Sequence, residues 1–235
     1  GGTRTFTYAG AASANNTLTN SGSITVGAMA TATGAFASAI AGVGAGIHQG
    51  AFAGGSTTFG LALSGGTSEN ASNTLTNSAA GVITVGAVAN ANGGQFAHAY
   101  ATVGSGIDQA AAAVAKSGVA SASDTLTNDG TIMVGATANA TGNGAYIFGT
   151  PIAGVANATA NVGVGIRQVA SAIATGFATT AGSTSFLGLP TQSTLTPGSA
   201  NATVALTNTG TIAVGANAGA HRQHQPQQLA GGTAV

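Results

Sequence analysis

Acidic residues and histidines are the side chains best suited to chemistry, and this chain of 235 residues contains only four of each. Three of the acids, Asp108, Asp124 and Asp129, are candidates for general acid–base catalysis or for calcium binding. Each lies at a repeated position where other copies of the repeat hold His, Arg, Asn, Ala, Ser or Thr. Because these positions tolerate such different side chains, we expect solvated surface residues rather than an active site.

Two other patterns resemble known kinds of site. His221 and His224 have the spacing of a metal-binding pair on a helix, although a polar tail is the favoured interpretation. The glycine-rich segments 42–46 and 163–165 imitate a dinucleotide-binding loop, but they belong to a repeat and do not begin a helix. We therefore predict no catalytic residues, no bound metal and no cofactor, and we expect that the chain is not an enzyme.

The charge content excludes several classes of partner. Charged residues make up 3% of the chain, against about 25% in ordinary soluble proteins. Four basic side chains cannot supply the phosphate contacts that nucleic-acid binding requires. No run of apolar residues is long enough for a transmembrane helix, because Gly, Thr, Ser and Asn interrupt every one. With so little self-repulsion, the chain is expected to associate readily.

Two short motifs recur along the chain. The first, Leu-Thr-Asn, begins at Leu18, Leu75, Leu126 and Leu206, at spacings of 57, 51 and 80 residues. The second, Gly-Ile-x-Gln, follows it in three of the four units, with its isoleucines at Ile47, Ile107 and Ile166. We predict one β-repeat domain over residues 1–220, with units starting near residues 17, 74, 125 and 204. Residues 221–235 are predicted to form a polar C-terminal tail or an inter-subunit segment.

Within each motif the hydrophobic period is two, which indicates strands. From residue 24, one face is predicted to hold Ile24, Val26, Ala28, Ala30 and Ala32, and the other Thr25, Gly27, Met29, Thr31 and Thr33. The predicted fold is all-β, a β-solenoid (parallel β-helix) built from imperfect repeats of about 50–80 residues. An antiparallel β-sandwich with a donated strand is the alternative.

Aligned polar residues predict side-chain ladders between stacked strands. The expected ladder residues are Asn20, Asn77, Asn128, Asn208, Gln49, Gln109 and Gln168. Glycines expected at corners, with positive φ, are Gly22, Gly81, Gly130 and Gly210. The variable position before the glutamine holds His48, Asp108 and Arg167, so it must face water. A unit of 57 residues would divide into three coils of about 19, but the spacings of 51 and 80 do not divide in this way and leave the coil count open. The uneven spacings predict inserted loops near residues 143–153 and 175–200.

The run L-x-N-x-G-x-I is matched at residues 18–24, 126–132 and 206–212, and the copy at Leu75 has two extra residues before Ile83. This run is similar to the repeats of bacterial haemagglutinin-type and autotransporter-passenger surface proteins. In that family it recurs once per coil of a right-handed β-helix. The resemblance implies secretion, display at the cell surface, and a role in adhesion or biofilm, and it supplies no catalytic residues.

The chain begins and ends partway through a unit, which predicts open strand edges that template further pairing. We expect an extracellular structural protein that joins head to tail into a surface filament, or a rigid adhesin stalk; a fragment of a longer adhesin would show the same edges. The predicted partner is the chain itself, with surface glycans as a further one. The segment expected to act as a donated strand is Arg4, Thr5, Phe6, Thr7, Tyr8 and Ala9.

The alternative function is binding of carbohydrate or ice through exposed Thr and Asn. Its basis is the recurring Thr-x-Thr, which places Thr17 and Thr19 in line with the equivalent pairs of later units. Threonine is also simply a good solvent-facing strand residue, and that interpretation is favoured.

Overall fold

Strands form throughout the part of the chain that the structure, a computed structural model, describes: residues 11–54, 68–115, 118–147, 150–174, 177–180, 193–196 and 198–223. Their bounds are β1 (Ala12–Asn20), β2 (Ser23–Gly54), β3 (Ser68–Asn77), β4 (Val82–Ala115), β5 (Val119–Asn128), β6 (Thr131–Gly142), β7 (Ala145–Ile147), β8 (Thr150–Ile152), β9 (Val155–Ala174), β10 (Phe177–Thr180), β11 (Ser193–Thr196), β12 (Ser199–Asn208) and β13 (Thr211–Arg222). The predicted all-β class is confirmed for these residues, which contain no helix.

The Leu-Thr-Asn motifs form one parallel sheet, in the order β1-β3-β5-β12. Its register aligns equivalent repeat residues, so that Leu18 lies beside Leu75, Leu75 beside Leu126, and Leu126 beside Leu206. We call this sheet 1. The four copies of the motif are therefore four neighbouring strands, each separated from the next by one whole repeat unit.

The remaining long strands form a second parallel sheet, sheet 2, in which β2 and β4 pair along almost their whole length. Residues 82–93 of β4 also pair with β6, which in turn pairs with β13. Residues 96–115 of β4 pair instead with β9. The first half of sheet 2 contains residues 23–34 of β2 and the strand segments aligned with them. The second half contains residues 36–54 of β2 and the strand segments aligned with those.

Each repeat unit contributes one layer to this arrangement, not three. The first layer is β1 with β2, the second β3 with β4, the third β5 with β6 and β9, and the fourth β12 with β13. The sequence leaves the coil count open, and the three coils of about 19 residues that a 57-residue unit suggests are not formed. The reason is that the 32 and 34 residues of β2 and β4 are single, unusually long strands.

All the long pairings are parallel, so the antiparallel sandwich is also wrong for the two main sheets. Antiparallel pairing is confined to two short hairpins, β7–β8 and β10–β11, in the described part of the chain. Both fall inside the segments where inserted loops were predicted, which confirms those positions. The prolines of the second segment, Pro190 and Pro197, fit a loop or an edge strand, but they lie outside the described residues.

The core is built from the alternating small residues, as the period-two pattern predicted. Ile83, Val85 and Ala87 of β4 are fully buried. The equivalent residues of the third layer are at most 2% exposed: Ile132, Val134 and Ala136. Ala97, Ala99 and Ala101 from the second half of the same strand pack into the same cluster. A second cluster, made only of alanines, joins the starts of β3 and β5 to the ends of β2 and β4.

The second half of sheet 2 in one layer packs against the next layer. A methyl group on Gly106 would lie 2.9 Å from Val134 Cγ1, although Gly106 belongs to the second layer and Val134 to the third. The same closeness recurs between Gly46 and Val85 and between Gly165 and Val214. The glycine of the Gly-Ile-x-Gln motif is therefore needed, because any larger residue would collide with a valine of the next layer. The second half of sheet 2 in each layer thus packs against the layer that follows it in the chain.

Candidate functional site: side-chain ladders and exposed edges

The four predicted asparagines are joined by hydrogen bonds through all four layers. The side-chain amide nitrogens Nδ2 of Asn20, Asn77 and Asn128 donate to the Oδ1 of the next asparagine at 2.8, 2.7 and 2.6 Å. Asn77 and Asn128 are fully buried. Their hydrogen bonds run in one direction, so the ladder has a donor end and an acceptor end.

Each of these amides also fastens the corner between the two sheets. Asn77 Nδ2 donates to the carbonyl oxygen of Gly81 in its own layer and to that of Thr131 in the next layer. Asn128 repeats both contacts with Gly130 and Thr211. One side chain therefore joins its own corner, the neighbouring corner and the neighbouring asparagine.

The corner glycines lie where they were predicted, but for a different reason. None of Gly22, Gly81, Gly130 and Gly210 has φ in the left-handed region, so the prediction of positive φ is wrong. A methyl group on Gly81 would instead lie 2.6 Å from the Asn20 carbonyl oxygen. Glycine is required at the later corners because stacked backbones approach closely there. Gly22, in the first layer, has nothing within 4 Å of that position.

The glutamines form a second ladder with the opposite polarity. The side-chain nitrogen Nε2 of Gln168 donates to Oε1 of Gln109 at 2.8 Å, and that of Gln109 donates to Gln49 at 2.8 Å. Each glutamine also donates at 3.2 Å to a sheet 1 carbonyl oxygen one layer further on: Thr74, Thr125 and Ala205. The glutamines thereby hold the second half of sheet 2 against sheet 1.

A third ladder, not predicted from the sequence, contains Asn16, Asn73 and Asp124. Asn16 Nδ2 donates to Asn73 Oδ1 at 2.9 Å, and Asn73 Nδ2 donates to Asp124 Oδ1 at 2.8 Å. The other Asp124 oxygen, Oδ2, accepts from the Val169 backbone amide at 3.0 Å. The sequence contains the signal for this ladder, because Asn16 is four residues before Asn20 and therefore lies on the same inward face of the strand.

Asp124 is therefore fully buried, and its prediction as a solvated position is wrong. A carboxylate accepts hydrogen bonds and cannot donate. It accordingly ends the ladder, and its fourth-layer neighbour is Val204, which offers no hydrogen-bonding side chain. Asp129, in contrast, is exposed and accepts a hydrogen bond from the Thr209 hydroxyl at 2.6 Å.

The variable position before the glutamine faces outward, as predicted, and its three residues are neighbours. Asp108 Oδ2 lies 3.4 Å from His48 Nδ1, and Asp108 Oδ1 lies 3.9 Å from Arg167 Nε. The His48 and Arg167 side chains are more than half exposed, whereas that of Asp108 is 19% exposed. Ion pairs whose His48 and Arg167 partners are this exposed stabilise weakly.

The described ends of the stack expose unpaired strand edges. In sheet 1 the edge strands are β1 and β12, and in the first half of sheet 2 they are β2 and β13. Core-type side chains are uncovered at the fourth layer, where Leu206 is 52% exposed and Val214 is 50% exposed. Their neighbours Leu126 and Val134 in the third layer are buried, so the inner face of the fourth layer is exposed where that of the third layer is covered.

The predicted donated strand, Arg4 to Ala9, lies outside the described residues. So does His224. His221 pairs with Thr141 as part of β13, so the spacing of a helical metal pair does not apply to this segment. β13 continues to Arg222, two residues into the segment assigned to the polar tail.

The outer face of sheet 1 presents hydroxyl groups in register. Thr17, Thr74 and Thr125 form one column, and Thr19, Thr76, Thr127 and Thr207 form another. Three shallow grooves on the outer face of sheet 2 are lined by Thr, Ala, Asn, Gly, Val and Met, without an ionisable group. Among the described residues, no group of three or more His, Cys, Asp or Glu could hold a metal ion.

Comparisons with protein-family models, with curated proteins and with solved structures gave no match. No helix within the described ranges could cross a membrane. What can be said of function therefore rests on the ladders, the edges and the outer faces.

Proposed function

We propose that this chain is a structural β-solenoid protein of the cell surface or extracellular space, which stacks end to end through its open edges. The observation that carries this proposal is the fourth layer. It pairs in register with the third, yet its Val204, Leu206 and Val214 side chains are half exposed. Covering such apolar side chains contributes roughly 25 cal/mol for each Å² removed from water.

The offset packing, in which the second half of sheet 2 in one layer contacts the next layer, supports a solenoid. Both the Gln ladder and the glycine–valine contacts join the second half of sheet 2 in one unit to the next unit. A chain that advances by one layer per unit in this way can be extended by further layers without changing any contact. The near absence of charge removes the repulsion that keeps most soluble proteins apart.

Ladders of amides give such a stack its rigidity. Each buried amide hydrogen bond stabilises modestly, but a buried amide that loses its partner costs about 1–3 kcal/mol. Bending or slipping one layer would break several of them together. This mechanical role fits a surface filament or the stalk of an adhesin, the functions implied by the resemblance to bacterial haemagglutinin-type repeats.

Electron microscopy of the purified chain over a concentration series at neutral pH tests the proposal. We expect unbranched filaments whose length increases with concentration, with no ligand added. Separate rods of constant length at every concentration would contradict self-stacking.

A second function is favoured by one observation, the in-register threonine columns on the outer face of sheet 1. Their spacing is about 4.8 Å between strands and about 6.7 Å along each strand. Such a regular array of hydroxyl and methyl groups suits an ordered carbohydrate or ice surface. Glycan-array binding and ice-recrystallisation assays test it, with Thr76→Val and Thr127→Val expected to reduce binding while leaving the stack intact.

A further inference from the structure

We propose that the partner at the fourth-layer edge is the first layer of a second copy of the chain, with β12 pairing with β1 and β13 with the first half of β2. This inference rests on the proposed function and specifies its junction. It follows from continuing the contacts already present between layers. The repeat register aligns Leu206 with Leu18 and Asn208 with Asn20 of the second copy.

Hydrogen-bonding capacity at the two edges is complementary. Among the described residues, Asn208 Nδ2 donates only to Gly210 O, at 3.1 Å, whereas the equivalent amides of Asn77 and Asn128 each lie within hydrogen-bond distance of three acceptors. At the other edge, the donor to Asn20 Oδ1 within the described ranges comes from its own layer, the Gly22 amide. The missing acceptors of Asn208 are therefore Asn20 Oδ1 and the Ser23 carbonyl oxygen of the next copy.

The backbone at the corner repeats the same complementarity. Between inner layers, the Asp129 amide donates to Asn77 O at 2.8 Å and the Thr131 amide donates to Gly81 O at 2.9 Å. In the fourth layer the corresponding acceptors are the carbonyl oxygens of Asn208 and Gly210. The Ser21 and Ser23 amides of the first layer are the matching donors.

The junction also leaves a defined gap. Within the described ranges, the fourth layer has no strand beside β9. Stacked copies would therefore bring sheet 1 and the first half of sheet 2 into contact, while β9 and the second half of β2 stay two layers apart, about 9.6 Å. A junction in this register thus predicts paired strands in sheet 1 and in the first half of sheet 2. It predicts separated strands in the second half of sheet 2.

Disulfide trapping tests this register, because the chain contains no cysteine. In the double variant Thr19→Cys/Thr207→Cys, the two positions are about 14 Å apart within one chain but about 4.8 Å apart across the junction. Only the second distance permits a disulfide. After assembly at high concentration and mild oxidation, we expect most of the protein to migrate as a ladder of covalent multimers on a non-reducing gel.

Two matched variants serve as controls. Ser13→Cys/Thr207→Cys places the two thiols about 20 Å apart along the same junction. Phe52→Cys/Ser171→Cys places them on opposite sides of the gap, about 9.6 Å apart. Both distances are too long for a disulfide, so we expect at least tenfold less cross-linking from either variant. Equal cross-linking from either control, or none from Thr19→Cys/Thr207→Cys in assembled protein, would overturn this register. If the wild-type chain forms no filaments, the proposed function itself fails, which is a separate result.

Discussion

The inner and outer layers of the stack contain the same residues in different surroundings. Leu75 and Leu126 are fully buried in the second and third layers, whereas Leu206 is 52% exposed in the fourth. Within the described residues, the two hydrogens of Asn77 Nδ2 are shared among three acceptors, whereas Asn208 Nδ2 has one acceptor. Position in the stack, not residue type, therefore determines how much each repeat residue stabilises the fold. Equivalent substitutions in inner and outer layers should have unequal effects.

The largest effect is expected from Asn73→Asp in the second layer. The new carboxylate would replace the amide that now donates to Asp124 at 2.8 Å, and would leave two buried carboxylates in contact. We expect the free energy of unfolding to fall by about 3–5 kcal/mol at neutral pH, because an uncompensated charge would be buried. Chemical denaturation monitored by circular dichroism measures this change.

Asn15→Asp is the matched control. Residue 15 is exposed on the neighbouring outward face, so its substitution should change stability by less than about 0.5 kcal/mol. Equal losses from the two variants would contradict the third ladder.

The next effect separates an inner from an outer member of one ladder. Asn77→Ala removes the donor to three acceptors and the acceptor for Asn20. We expect a loss of about 3 kcal/mol, because several buried polar groups lose their partners. Asn208→Ala in the fourth layer removes one donation and the oxygen that accepts from Asn128 at 2.6 Å, but Asn128 keeps its two backbone acceptors. We expect a smaller loss of about 1 kcal/mol in the monomer, measured by the same denaturation experiment.

A corner glycine gives a smaller effect of steric origin. Gly130→Ala would place a methyl group within 3.0 Å of the carbonyl oxygens of Gly81 and Ser78, so we expect a loss of about 2–3 kcal/mol from overpacking. Gly22→Ala, at the same corner of the first layer, meets nothing within 4 Å. Thermal unfolding should show Gly22→Ala to be as stable as the wild type or slightly more stable.

The smallest effect concerns the charged triplet on the outer face. Asp108→Asn removes the carboxylate between His48 and Arg167. Because both partners are largely exposed, we expect a loss below about 1 kcal/mol that decreases further as salt is added. A loss as large as that of Asn77→Ala would show that the triplet, rather than the buried amides, holds the layers together.

The sequence predicted the parts of this fold that repeat. Alternation identified the inward faces, and alignment of the Leu-Thr-Asn and Gly-Ile-x-Gln motifs placed Asn20, Gln49 and their equivalents in successive layers. The uneven spacings located both inserted hairpins. Each of these inferences depends only on residues that recur at corresponding positions of stacked strands.

What the sequence did not predict depends on how far one strand continues. Nothing local in β2 shows that its 32 residues form a single strand, so the sequence leaves the number of coils per unit open. The burial of Asp124 differs from its sequence prediction, because a column that changes residue type indicates a solvated position. That change has a physical cause: a carboxylate suits the last position of a ladder that needs an acceptor and no donor.

The central claim, that copies stack through these edges, is tested most directly by a charge pair across the junction. Thr19 and Thr207 are both exposed and face outward, so lysines there should not disturb the fold. Pelleting assays at low ionic strength would compare wild type, Thr19→Lys/Thr207→Lys and Thr19→Glu/Thr207→Lys. We predict that the lysine pair raises the concentration needed for assembly roughly five- to tenfold, through repulsion at about 4.8 Å, and that the Glu–Lys pair restores it. Equal assembly of all three proteins, or a wild type that stays monomeric at every concentration, would contradict the claim.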